Sequence, residues 1–436
     1  MNTSNFKISH FIKQESLGGI LLIISTIIAL FWANNSDSYH HFWHELTIGI
    51  TAGDFSLSHS LGHWINDGLM AIFFFTVGLE IKREVMGGEL STIKKASLPL
   101  FAAIGGMLVP ALVYFIFNNG YPEYRSGWGI PMATDIAFAL GLMAMLGDKV
   151  NINLKIFLTA LAIADDLGAI MVIAVFYTEN INVNELITAA IFMSVLLAAN
   201  RFGVRRTAFY ALVGLFGVWV SFLFSGVHAT IAGVLIALTI PARPKINERQ
   251  FIRNVKKKMS KFEKIDPNDI SLLTSDQAHI VAEIDTIADD AHTPLQKLEH
   301  NLHPITSFFI LPVFALANAG IKIEGKILDL LFTPIALGIM AGLVVGKTVG
   351  ITLFSWVAVK LKIANLPKGI SWQEIIGASM LAGIGFTMSI FVAELAFKDP
   401  EVIMMAKIGI FGASLIAALL GLTILSFAGK PKKQAP

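Results

Sequence analysis

The chain contains no cysteine, and only 15% of its 436 residues are charged. Without thiols there is no disulfide framework and no Cys-ligated metal site. Soluble globular domains carry about 25% charged residues, so this chain lacks the polar surface that water demands of a soluble enzyme. Hydrophobic residues make up 55%, which excludes a disordered chain. A net charge of +2 offers no electrostatic case for nucleic acid. What remains is a protein that crosses the membrane many times.

A helix needs about 20 mostly apolar residues to cross the hydrocarbon core. Such runs occur at 16–33, 64–81, 96–117, 126–147, 152–176, 183–200, 207–223, 226–240, 303–319, 330–358, 374–396 and 402–428. They are too rich in Leu, Ile, Ala, Phe and Gly to be alternating barrel strands. Lipid tolerates only helices or closed barrels. The sequence therefore predicts an all-α polytopic membrane protein with twelve transmembrane helices. With the amino terminus inside, 27 of the 33 Lys and Arg residues fall in inside segments. The reverse orientation inverts that bias, so both termini are expected in the cytoplasm. No small-residue cleavage site marks the first run, and no cleaved signal peptide is expected. Segment 34–62 has no Lys or Arg and reads as an outer hairpin, with Gly53-Asp54 as its turn. Residues 241–302 form one long cytoplasmic loop. Within it, 271–288 is expected to be amphipathic helix, with Ile280, Ile284 and Ile287 on one face.

Ionisable residues inside spans carry the functional reading. Each costs about 2.5–3.5 kcal/mol at the helix centre on the insertion scale, and such residues mark ion or substrate paths. Asp165 and Asp166 sit in the middle of the fifth run. Adjacent helix positions point about 100° apart, so the two carboxylates serve one cavity but not one partner. A hard monovalent cation such as sodium or lithium prefers oxygen ligands, by extension of the rule for other hard cations. A carboxylate offers one and equally takes a proton, and that competition is the core of proton-coupled exchange. Lys347 lies deep in the tenth run and needs a carboxylate from another span. Gly338, Gly342, Gly346 and Gly350 recur every four residues around it, a small-residue stripe suited to close helix packing.

Asp135 and Thr134 follow Gly129 and Pro131, which interrupt the fourth run. Residues 383–389, Gly-Ile-Gly-Phe-Thr-Met-Ser, interrupt the eleventh in the same way. Broken spans in matching places of two halves point to a transporter site between inverted repeats. Their half-helix ends are partial charges that Asp135 and Lys347 would offset.

The segments WINDGLMAIFFFTVGLEIKRE, PMATDIAFALG, LAIADDLGAI, SGVHATIAGVL, LEHNLHP, LPVFALANAG and GIGFTMSIF resemble the NhaA family of bacterial sodium/proton antiporters. The likeness runs over essentially the whole chain except about 245–295. This family is itself a source of the rule on broken helices, so that pointer and the resemblance are one argument. The resemblance implies a single transporter domain over 1–436, with inverted repeats and two broken, crossing helices, the fourth and eleventh. Asp166 resembles the main cation ligand, and Asp165 its neighbour that pairs with Lys347. Thr134 and Asp135 resemble the polar residues at the crossing. Glu80, Glu84, Glu299, His300 and His303 resemble a cytoplasmic pH-responsive cluster, and Asp67 an acidic residue of the same region. The implied activity is electrogenic, pH-regulated export of sodium or lithium against protons by alternating access in the inner membrane. A homodimer is implied, no cofactor is, and the lipid bilayer is the surrounding partner. His228, in SGVHAT, reads as a helix-end residue.

Two other classes are weighed. A cation channel lacks support, because no pore motif such as TVGYG is present. An intramembrane aspartyl protease needs two Asp about 3 Å apart sharing a proton, and adjacent Asp165 and Asp166 diverge.

Overall fold

The computed structural model of the chain describes residues 3–52, 55–178, 181–265, 272–322 and 327–428. Nine helices among these are long and apolar enough to cross a membrane: Leu17–Asn35, Leu61–Gly87, Ile93–Asn118, Ile152–Phe176, Val183–Arg201, Thr207–Ser225, Pro294–Asn318, Pro334–Lys360 and Pro400–Ala428. Two further spans are broken pairs. Pro122–Met132 with Ile136–Met145 bends by 47°, and Trp372–Ala382 with Phe386–Ala396 by 46°. These are the fourth and eleventh spans. The eighth run, read as 226–240, is helical only over Ala229–Thr239. At 1.5 Å per residue that helix is about 16 Å long. It begins after Gly226, whose φ of +81° makes the turn from the seventh span.

The third, fourth and fifth spans run long helix, broken helix, long helix, and so do the tenth, eleventh and twelfth. With the short helix Ala229–Thr239 counted as a crossing, seven spans separate the starts of these two units, and an odd number puts the starts on opposite membrane faces, as inverted units require. The units meet along the third and tenth spans. Gly105 and Gly350 let those backbones touch there: a β-carbon on either would lie within 2.2 Å of the other's carbonyl oxygen. The glycine stripe of the tenth span is thus a packing device. Its π-helical turn, Gly342–Gly346, immediately precedes Lys347.

Burial sorts the spans. The most apolar window of the fifth span is 72% buried, that of the sixth only 17%, so the fifth is central and the sixth peripheral. On the first span Ile20, Ile24, Ile27 and Phe31 form an exposed stripe at helical spacing. In lipid such a stripe carries no penalty.

Two pieces lie off the spans. Thr47–Ala52 pairs antiparallel with Phe55–Ser60; the turn candidate Gly53-Asp54 lies outside the described residues. The long loop carries a helical hairpin, Glu248–Phe262 against Ser275–Ala291, both started by capping boxes, Asn247 with Gln250 and Thr274 with Gln277. The second helix buries Ile280 and half-buries Ile284 and Ile287. The first helix lies where the sequence predicts loop; its capping box is the signal for it. Lys258 pairs with Glu283 between the helices, and that ammonium holds the Glu283 carboxyl below its usual range. The hairpin is tied to the spans where Leu295 N–H donates to the Pro241 carbonyl (3.2 Å). Arg205 adds donations to the carbonyls of Arg243 (2.5 Å) and His292 (3.2 Å).

Candidate functional site

The two breaks touch. Pro131 lies inside the first half-helix, a 3-10 helix that ends at Met132; the chain is extended at Ala133 and Asp135, and the fourth span reopens as helix only at Ile136, with Asp135 as N-cap. Gly383–Gly385 interrupts the eleventh. Asp135 N–H donates to the Ile384 carbonyl (2.7 Å). Thr134 Oγ1 donates to the Ala382 carbonyl (3.0 Å), and Ser389 Oγ to the Ile130 carbonyl (2.9 Å). Each break therefore supplies partners for backbone groups the other leaves open, which lipid would not satisfy.

Charges at this crossing are placed by helix ends. The Asp135 carboxylate accepts from the Phe138 N–H of its own half-helix (3.0 Å). Its other oxygen accepts from the Thr387 N–H (3.2 Å) and Thr387 Oγ1 (2.5 Å). One carboxylate thus serves two helix N-termini, where partial charge is positive. The Lys347 ammonium, fully buried, donates to the Met132 carbonyl at the C-terminal end of the other half-helix, where partial charge is negative. It also donates to Asp165 Oδ2 (2.6 Å), which accepts as well from Thr134 Oγ1 (2.7 Å). Asp165 Oδ1 is buried with no hydrogen-bond partner among the described residues.

Asp166, one residue on, points elsewhere. It is 3% exposed, and no hydrogen bond to it is found among the described residues. Thr159 and Ile163 lie two turns and one turn before it on the same helix face, and both line a cleft. The cleft runs between the second, fourth, fifth and ninth spans, past Thr76, Glu80, Glu299 and His303. It leads out beside Arg83, whose side chain is 42% exposed. Glu80 is within electrostatic reach of Asp166.

Around that opening the structure joins Glu84 and Glu299 through Arg83. Its guanidinium contacts Glu84 Oε1 and Glu299 Oε1, each at 2.9 Å. Glu84 Oε2 also accepts from the Glu89 N–H (2.7 Å). His303 lines the cleft, while His300 is exposed at its edge. Asp67 does not belong to this group, contrary to the sequence expectation. It sits seventeen residues before Glu84 on the same helix, about 25 Å away by helical rise, and pairs with His63 (3.0 Å) at the opposite end of the span. Linear proximity within one quoted segment hid that separation. His228 is the N-cap residue of the short eighth helix, with Nε2 against the Tyr177 carbonyl (2.8 Å).

Sequence reasoning missed Arg83 and Thr387. Arg83 lay inside the quoted GLEIKRE string, but a guanidinium at a membrane edge is unremarkable until a second span brings Glu299 to it. Thr387 had a usable signal: a hydroxyl residue in the first turn after a break, as Thr134 is just before the other. Among the described residues no group of three or more His, Asp or Glu converges as a metal centre.

Over residues 9–425 the chain matches the family model described as Na+/H+ antiporter 1. It is 50% identical to the Na(+)/H(+) antiporter NhaA 1 of Psychromonas ingrahamii, over 95% of both chains. To the Na(+)/H(+) antiporter NhaA of Oleidesulfovibrio alaskensis it is also 50% identical, over 95% of this chain and 92% of that one. The NhaA of Acidithiobacillus ferrooxidans is 47% identical over 98% of both.

Proposed function

The chain belongs to the Na+/H+ antiporter 1 family, and from that premise we propose that it exports sodium, or lithium, in exchange for protons across the bacterial inner membrane. It is a secondary transporter and not an enzyme, so the protease reading is set aside. The observation that carries the proposal is Asp166: a buried carboxylate, without hydrogen bonds among the described residues, one helical turn beyond Ile163, which lines the cleft. A carboxylate so placed binds either a proton or a cation, since holding both, or neither, leaves it poorly compensated in low dielectric.

The cycle follows from that exclusivity. Facing the cytoplasm, the side on which Lys and Arg place the cleft opening, Asp166 exchanges its proton for sodium. Oxygens near the breaks complete the coordination. The Lys347–Asp165 pair is the nearest competing charge arrangement. Once a cation sits beside Asp165, the ammonium loses its counter-charge and releases a second proton. Two protons for one sodium moves one net charge per turnover, worth about 2.3 kcal/mol per 100 mV. The membrane potential then drives sodium out even when the proton gradient is small. Inverted units around crossed breaks suit alternating access, because each face of the site is built from an equivalent element.

The assay is a pH-gradient dye in everted membrane vesicles. Pulses of Na+ and Li+ are expected to dissipate the gradient; pulses of K+ and Ca2+ are not. Equal responses to K+ remove the sodium/lithium assignment, and no response to any cation removes the antiport reading.

The cluster at the cleft opening is proposed to set the pH range of activity, since Arg83, Glu84 and Glu299 bridge two spans beside the path. Replacing Glu84 and Glu299 by Gln and His300 by Asn together is expected to shift the activity–pH curve, while maximal turnover stays within a few-fold. Initial rates of dequenching across a pH series give the result. An unmoved curve means these are ordinary edge charges.

A further inference from the structure

The hairpin between the eighth and ninth spans has one face that its own chain leaves unused. In its first helix Phe251, Asn254, Val255, Lys258 and Phe262 are half-buried, on the side that packs against the second helix. At 100° per residue, Arg249, Arg253, Lys256 and Lys257 fall on the opposite side, and all four are exposed. Ile252 and Met259 share one edge of that side and are 47% and 53% exposed. Three of the hairpin's acidic groups are paired elsewhere, Glu283 with Lys258, Asp290 with Lys245 (3.0 Å) and Asp289 with Lys297 (2.9 Å), and the acidic residues of the first helix, Glu248 and Glu263, stand only at its two ends. Both ends of the hairpin are anchored at span ends, through the Leu295–Pro241 hydrogen bond and the two Arg205 contacts.

We propose that the helix Glu248–Phe262 lies on the bilayer surface, with Arg249, Arg253, Lys256 and Lys257 on anionic lipid headgroups and Ile252 and Met259 dipping among them. A cationic face edged by apolar side chains is the pattern of an interfacial helix. Lys and Arg held near an anionic surface are each drawn to it, and the attraction falls off within a Debye length. The helix starts nine residues after the eighth span ends at Thr239, so it cannot stray far from the headgroups. A soluble acidic partner has no use for the exposed Ile252 and Met259, which favours lipid.

The chain has no cysteine, so Met259→Cys gives a single attachment point for an environment-sensitive fluorophore. The full-length labelled protein is reconstituted in vesicles of phosphatidylcholine alone or with phosphatidylglycerol, each with and without nitroxide lipids. The expected result is quenching at least twofold stronger in phosphatidylglycerol vesicles, weakened by about 0.5 M KCl through screening. A label at Ala282→Cys, exposed on the far side of the second helix, is expected to stay unquenched. Adding R249Q, R253Q, K256Q and K257Q to Met259→Cys is expected to abolish the phosphatidylglycerol effect with the melting temperature unchanged. Equal quenching in the two lipids, equal quenching at Ala282, or quenching indifferent to the four neutral substitutions overturns the proposal. So does a melting temperature lowered by those substitutions, because the face then serves the fold.

Discussion

Asp166→Asn is expected to reduce sodium-driven proton exchange to background at every pH, with the protein still inserted and folded. Asparagine has nearly the same shape as aspartate but neither ionises nor releases a proton. It is therefore unable to alternate between a proton and a cation. Folding should be spared for a physical reason specific to this position. Asp166 donates nothing to the network at the crossing; the hydrogen bonds there run through Asp135, Thr134, Thr387, Asp165 and Lys347. Removing a buried charge without a hydrogen-bond partner removes desolvation cost rather than an interaction. The variant should thus melt at or above the temperature of the unmutated protein in detergent. Two measurements settle the matter: dequenching in everted vesicles, and the melting curve. Residual sodium-dependent dequenching above background would mean that another group is the exchanging site. A lower melting temperature would mean that Asp166 is held by contacts that matter to the fold.

Lys347 should behave in the opposite way. Its ammonium is fully buried and satisfies two acceptors at once, Asp165 Oδ2 at 2.6 Å and the Met132 carbonyl. Lys347→Ala strands both. A broken buried pair costs about 3–5 kcal/mol, and the half-helix end at Met132 loses its cap as well. Asp165 already has one oxygen without a partner among the described residues, so little else there is placed to replace the ammonium. The variant is expected to melt several degrees lower and to lose transport. Asp165→Asn combined with Lys347→Gln removes both charges and keeps polar groups at both positions. That double variant should recover most of the lost stability, which a double-mutant cycle expresses as coupling. If Lys347 supplies the second proton, the double variant also exchanges sodium with less charge moved per cation on a solid-supported membrane. A double variant no more stable than Lys347→Ala means the two residues are not energetic partners. Unchanged charge per sodium means the second proton travels elsewhere.

Membrane crossing was legible along the chain because the bilayer is a one-dimensional constraint. Length and apolarity of each run decide whether it spans, and neither depends on neighbours. The same holds for the neighbourhood of the two breaks, marked by Pro131, one residue before the first half-helix ends, and by the glycines at 383 and 385. It holds too for picking Asp135, Asp165, Asp166 and Lys347, because a charge in the middle of an apolar run is costly wherever the run packs. Short helices outside lipid were less legible: Glu248–Phe262 passed for loop, since among so many charges its periodicity is carried by a few half-buried positions.

Which charges meet was a different matter. Asp165 and Lys347 are 182 residues apart, and only the packing of the fifth span against the crossing selects Asp165, rather than Asp166, for the ammonium. Arg83 joins Glu84 to Glu299 because the ninth span lies beside the second, while Asp67, in the same segment as Glu84, is carried to the far end by helical rise. The chain by itself therefore determined the spans, the breaks and the set of buried charges, all properties of local composition against a fixed solvent. Tertiary structure alone decided the pairings, the cleft that reaches toward Asp166 and the separation of Asp67, because electrostatic and hydrogen-bond energies fall off over a few ångströms in space and take no account of distance along the chain.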